Sequence, residues 1–183
     1  MSLLRKPLYF SLLFVLAIGS FVVLKRLLTP GFTWKYIVIH HTAAAKGNLE
    51  TIRKLHIEEK NFPDIAYHFV INNGTAGRQI GQIEESELWR TKSANYSTMS
   101  SEMNAKSIAI VLVGNFEKSK PPILQFSALV DLTARLALRY EIPASRIIGH
   151  KDVSSTVCPG KFMPLKELRN QVKQRLQQAL HKT

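Results

Sequence analysis

Cys158, the only cysteine in the chain, stands eight residues after His150, and a β-branched run far upstream ends in His40-His41-Thr42. A thiolate and imidazoles are the ligands that a borderline-soft divalent ion such as zinc prefers. Three protein ligands with a fourth position left for water is the pattern of a catalytic site. A lone cysteine is also a common small buried side chain, and distant histidines are often packed in a core or solvated. Spacing alone therefore leaves a metal centre and an ordinary core both open, with His40 and His41 equally placed to serve.

The elements that must position these residues are readable. Trp34 to Ile39 (WKYIVI) is β-branched and aromatic and predicts a buried strand that delivers His40 at its end. Leu49 to Lys60, with Leu49, Ile52 and Leu55 at helical spacing, predicts an amphipathic helix. Tyr67 to Ile71 reads as a strand, Asn72 to Thr75 as a turn, and Gly77 to Ile80 as the returning strand of a hairpin. Ser107 to Val113 (SIAIVLV) predicts the central strand. Ile123 to Tyr140 predicts a long helix with Leu124, Leu129, Leu132, Leu136 and Tyr140 among its apolar positions. Arg146 to Ile148 is a short strand before His150, and Pro164 to His181 a closing helix with Leu165, Leu168, Val172, Leu176 and Leu180 on one face. This order predicts an α/β domain with a central mixed β-sheet flanked by helices.

With 183 residues, 45% of them hydrophobic, the chain suits one domain with a real core. A single cysteine excludes an intramolecular disulfide framework. The net charge of +12 is uneven: residues 1–49 hold no Asp or Glu, and from Lys161 onward there are six Lys or Arg against one Glu. Such a distribution suits phospholipid head groups or wall polymers. No nucleic-acid-binding signature accompanies it, so nucleic acid is not an expected partner.

Leu8 to Leu24 (LYFSLLFVLAIGSFVVL) carries no charge and is flanked by Arg5-Lys6 and Lys25-Arg26. As a helix it would span roughly 26 Å, at the short end of what crosses a hydrocarbon core. The reading is a cytoplasmic N-terminus over 1–7, a transmembrane signal anchor over 8–24, a short linker over 25–33 with a breaker at Pro30-Gly31, and the folded domain over 34–183. The apolar run continues past Ala17 and Gly19, which favours an uncleaved anchor.

Four segments carry a resemblance. Ile37 to Ala43, Ala66 to Ile71, Asn104 with Ser107 to Phe116, and Ile148 to Asp152 running on to Thr156-Val157-Cys158-Pro159-Gly160 resemble, in order, the zinc-dependent N-acetylmuramoyl-L-alanine amidases. That family includes phage lysozyme amidases and animal peptidoglycan recognition proteins, and the likeness covers roughly residues 34–178. It implies the fold of those proteins and one zinc ion per chain, held by His40, His150 and Cys158. His41 would then face the other side of its strand, because successive side chains alternate.

The resemblance also implies catalytic roles for Tyr67, which matches the family's tyrosine, and for Thr156, which stands where relatives carry lysine or threonine. Zinc can acidify a bound water and polarise a carbonyl, and a phenol or hydroxyl can donate to the developing oxyanion. The implied reaction is hydrolysis of the amide between N-acetylmuramic acid and L-alanine of the peptidoglycan stem. The alternative is a peptidoglycan-binding module that does not cut, although such members typically lack the cysteine. Val111 stands where some branches have glutamate, and Trp89-Arg90 where many have Trp-His. The expected partners are peptidoglycan or muropeptides, and membrane lipid through the N-terminal segment. The domain is expected on the wall-facing side.

Overall fold

The structure is a computed structural model that describes residues 34–180. The segments 1–7, 8–24 and 25–33, with the anchor expected there, lie outside the described residues. Among the described residues no helix is long and apolar enough to cross a membrane.

The elements run β1 (Tyr36–His41), α1 (Leu49–Lys60), β2 (Phe69–Asn73), β3 (Ile80–Glu85), α2 (Glu87–Arg90), α3 (Ser101–Lys106), β4 (Ser107–Leu112), α4 (Ile123–Arg139), β5 (Ile147–Gly149) and α5 (Leu165–Leu180). One-turn 3-10 helices at Ala144–Arg146 and His150–Asp152 bracket β5. The five strands form one sheet in the order β3-β2-β4-β1-β5. Only β2 and β3 pair antiparallel, as a hairpin; β4 pairs parallel with β2 and β1, and β1 parallel with β5.

Alternation along the central strands builds two cores. Ile37 and Ile39, Phe69 and Ile71, and Ile108, Ile110 and Leu112 pack with Leu129, Leu132 and Leu136 of α4 and Leu168 and Val172 of α5. Val70, Val111 and Val113 face the other way and pack with Ile52 of α1 and with Ile65. Asn48 starts α1 with a reciprocal cap: its side chain accepts the Thr51 N–H at 2.8 Å, and Thr51 Oγ1 accepts the Asn48 N–H at 2.9 Å.

Several boundaries differ from the sequence reading. The returning hairpin strand starts at Ile80, not Gly77, because Ala76 and Gly77 take positive φ and extend the turn. α2 and α3 have too few turns to show apolar periodicity; α3 buries no side chain and is set by a Ser100 cap on the Met103 N–H. Leu55, Leu124 and Leu180, expected on apolar faces, are exposed. In α4 the buried position near the start is Gln125, whose amide donates to the Ile71 and Val113 carbonyls at 3.0 and 2.9 Å and ties β2 to the end of β4.

His68 is a structural histidine. Its Nδ1 accepts the Ala109 N–H and its Nε2 donates to the Ser93 carbonyl, both at 2.9 Å, and its ring lies edge-on to Trp34. Burial is the main force pushing its pKa down to about 4, and Lys92 adds to this, while the Ser93 bond opposes it. A folded-state pKa below the unfolded value means the unfolded chain binds the proton first. The contribution is therefore intact above pH about 6.5 and is lost as pH falls toward about 4, by about 3 kcal/mol at full loss. Urea midpoints measured across this window should fall steeply for the wild type and less steeply for His68→Gln.

Candidate active site

Register brings the expected metal ligands to one edge of the sheet. His40 lies near the C-terminal end of β1, paired with Val111 and turned to the α1 face. Ile39 pairs with Gly149, so the parallel strand β5 ends beside β1 and hands His150 to the same edge. The loop carrying Cys158 is held back against this edge by Lys151 N–H donating to the Cys158 carbonyl at 2.7 Å. His41 N–H also points at Cys158 Sγ, 3.3 Å away.

The result is a compact N, N, S cluster. One ligand atom from each of His40, His150 and Cys158 lies within 4.8 Å of the others, and Cys158 Sγ stands 3.8 Å from His40 Nδ1. Tetrahedral zinc, with bonds near 2.0–2.1 Å to nitrogen and 2.3 Å to sulfur, sets ligand atoms about 3.5 Å apart, close to this spacing. His40 Nε2 and His150 Nε2 are buried with no hydrogen-bond partner among the described residues. Spacing and chemistry together, two imidazoles and one thiol converging at a buried point, make a donor set that fits a zinc ion.

Electrostatics point the same way. Burial, followed by His150 and His41, holds the His40 pKa well below its usual value, so its imidazole is neutral and able to ligate. His150 is lowered by burial and then by His41. Burial pushes the Cys158 thiol up to about 11, against the His41 N–H that favours the thiolate. A bound divalent cation reverses such a shift, because a coordinating thiol loses its proton outright.

Tyr67 is brought to the cluster, its ring 5.1 Å from that of His40. Burial, and then Cys158, raise its pKa, so the phenol keeps its proton through neutral pH. Thr156 is exposed, and its Oγ1 accepts the Cys158 N–H at 3.2 Å. His41 faces the opposite side, where its Nδ1 accepts the Phe116 N–H at 3.2 Å. Asn104 braces a loop through Thr98, and Arg90 pairs on the surface with Glu87 at 3.4 Å.

The sequence reading passed over His56. It is buried in α1, accepts the Ala66 N–H on Nδ1 at 2.9 Å, and lies 5.4 Å from the Tyr67 ring. With Nδ1 so engaged, Nε2 of the neutral ring carries the proton as a donor. Its helical position one residue after Leu55 was the available signal, since the buried face of α1 runs through Ile52 and His56.

Two clefts meet at Tyr67 and His56. One, of about 170 Å³, runs toward Thr42 and Lys46; the other, of about 360 Å³, runs past Phe62, Tyr96 and Met99 to His150. A larger groove of about 590 Å³ lies elsewhere, between β3, α4 and α5, and is lined by Ile83, Asp131, Arg135 and Arg175. Among the described residues it contains no cluster of metal-ligating groups, so the chemistry and not the volume locates the site.

The fold and this cluster define a class. The profile of the N-acetylmuramoyl-L-alanine amidase family matches residues 30–161, so the chain belongs to that family. Peptidoglycan-recognition protein SC2 of Drosophila melanogaster is 31% identical over 134 residues, covering 68% of this chain and 67% of the relative. Among solved structures, the N-acetylmuramoyl-L-alanine amidase LysC of Clostridium intestinale is similar at a TM-score of 0.66 and 25% identity, over 78% of this chain and 88% of that one. Drosophila PGRP-LB, solved as a tyrosine-to-phenylalanine variant with tracheal cytotoxin, is similar at a TM-score of 0.57 and 25% identity, over 73% and 78%.

Gly160 closes the cysteine loop with φ +102°, and a Cβ there would stand 2.3 Å from the Phe116 carbonyl carbon. Gly160→Ala should therefore displace Cys158 and weaken zinc binding in a chelator-competition titration. Gly77→Ala, also at positive φ but with open space around it, should cost about 1 kcal/mol of stability and leave zinc affinity unchanged.

Proposed function

We propose that this chain is a zinc-dependent hydrolase that cuts the amide between N-acetylmuramic acid and L-alanine of the peptidoglycan stem. The observation that carries this reading is the complete His40, His150 and Cys158 cluster with Tyr67 at its rim. When bound there, zinc supplies Lewis acidity toward a carbonyl oxygen and makes water a nucleophile at neutral pH.

The chain's own residues do the rest. The neutral imidazoles of His40 and His150 and the thiolate of Cys158 hold the ion, and the His41 N–H steadies the sulfur. Tyr67, protonated at neutral pH, donates a hydrogen bond toward negative charge developing on the substrate oxygen. The Thr156 oxygen accepts from Cys158, which leaves its O–H to donate from the other side. Val111, the register partner of His40, is apolar and takes no part in proton transfer.

A second reading, recognition without cleavage, draws on relatives named as peptidoglycan-recognition proteins and on PGRP structures solved with tracheal cytotoxin. The intact cysteine favours the enzyme. We further propose that residues 8–24 anchor the chain in a membrane with the domain on the wall-facing side, on the strength of their unbroken apolar sequence.

The chain should bind about one zinc ion and release fragments split at the lactyl amide, identified by mass spectrometry of digested peptidoglycan. His40→Ala, His150→Ala and Cys158→Ala should lose metal and activity together. Tyr67→Phe and Thr156→Ala should keep zinc while turnover falls roughly 10- to 1,000-fold. Zinc retained by His40→Ala would overturn the ligand set, and unchanged turnover in both hydroxyl variants would overturn their roles. For the anchor, fractionation should leave an intact-mass chain in the membrane pellet, digested only by protease added from outside. A soluble form starting near Ser20 would show a cleaved signal instead.

A further inference from the structure

Beside the edge that holds the metal cluster lies a surface the amide chemistry does not use. The loop after β4 carries Lys118 and Lys120, then Pro121-Pro122, and then the first turn of α4, where Ile123 is 87% and Leu124 61% exposed. These side chains are not turned inward, because the buried face of α4 begins at Gln125. Gly81 packs so closely on this turn that a Cβ there would stand 2.9 Å from the Leu124 carbonyl oxygen. Single exposed aliphatics are ordinary, but a contiguous group beside cations marks an interaction site.

The charge here is uncompensated. No Asp or Glu occurs from Lys118 through Val130, and the Glu117 carboxylate is engaged by the Lys161 N–H at 2.5 Å. No salt bridge among the described residues includes Lys118 or Lys120. A groove of about 310 Å³ opens between these lysines, Asn73 and Phe116. Phe116 is bonded to His41, so the groove shares the edge of the metal cluster.

We propose that Lys118, Lys120, Ile123 and Leu124 form a docking surface for an anionic phospholipid bilayer. The lysines meet head-group phosphates and the aliphatics enter the boundary with the acyl chains, the division of labour of peripheral membrane segments. The bilayer is the occupant that fits the chain. Nine residues separate Leu24 from the first described residue, Trp34, a reach of up to about 35 Å. That exceeds the roughly 20 Å of a six-residue strand such as β1, so either edge of the sheet can meet a membrane that holds residues 8–24. At the opposite edge Arg90 and Lys106 are paired with Glu87 and Glu102, and Lys92, Arg139 and Arg146 lie over the rings of Trp89, Tyr140 and Tyr36. This surface draws on the anchor proposed above for its setting and is independent of amide hydrolysis.

The test uses residues 33–183, a compact unit with its own core, sedimented with vesicles of phosphatidylcholine alone or mixed with phosphatidylglycerol. The protein should partition into the mixed vesicles only, and less so as salt rises. Lys118→Gln and Lys120→Gln should each lower the partition coefficient roughly five-fold. Ile123→Ser with Leu124→Ser should lower it while leaving its salt dependence unchanged. Lys166→Gln with Lys173→Gln, on α5, should have no effect. Failure to bind mixed vesicles, binding untouched by the loop variants, or an equal loss from the α5 pair would each overturn the proposal.

Discussion

Parallel pairing of β1 between β4 and β5 is the constraint on which the site depends. A parallel arrangement sends strand ends to the same edge, so His40 at the end of β1 and His150 just after β5 become neighbours without any contact between them in sequence. An antiparallel β5 would have sent its histidine to the far edge. Gly149 completes the arrangement, since a Cβ there would meet Pro159 at 2.8 Å and Leu165 at 2.9 Å. The loop that bears Cys158 can close over β5 only because that side chain is missing.

The same edge concentrates an unfavourable state. Neutral imidazoles and a thiol are buried against one another, with two ring nitrogens left without partners. Elsewhere His68 and Asn95 are bonded to backbone groups of the sheet or its loops, while single oxygens of Asn72, Ser86, Gln125, Thr133 and Ser154 are also buried without a partner among the described residues. What sets the His40, His150 and Cys158 group apart is convergence: two imidazoles and a thiol bring ligand atoms within 4.8 Å of one another, where an ion can hold all three.

Much of this was legible in the sequence because the residues concerned differ sharply in chemistry from their surroundings. Histidine after an apolar strand and a lone cysteine are conspicuous, and four segments in order identified the family. His56 was legible only as a position on the buried face of the helix, four residues after Ile52; its neighbours Tyr67 and Ala66 are brought to it by tertiary packing, which helical spacing does not reveal. Leu124 and Leu55 misled for the converse reason: apolar type and helical spacing do not say whether a facing element exists. The start of β3 depended on positive φ at Ala76, a residue whose type does not announce it.

X-ray absorption at the zinc edge tests the central claim most directly. The expected shell is one sulfur near 2.3 Å and two imidazole nitrogens near 2.0–2.1 Å, with a remaining light-atom ligand from solvent. A shell without sulfur, or one with a third imidazole, would contradict the assignment of His40, His150 and Cys158.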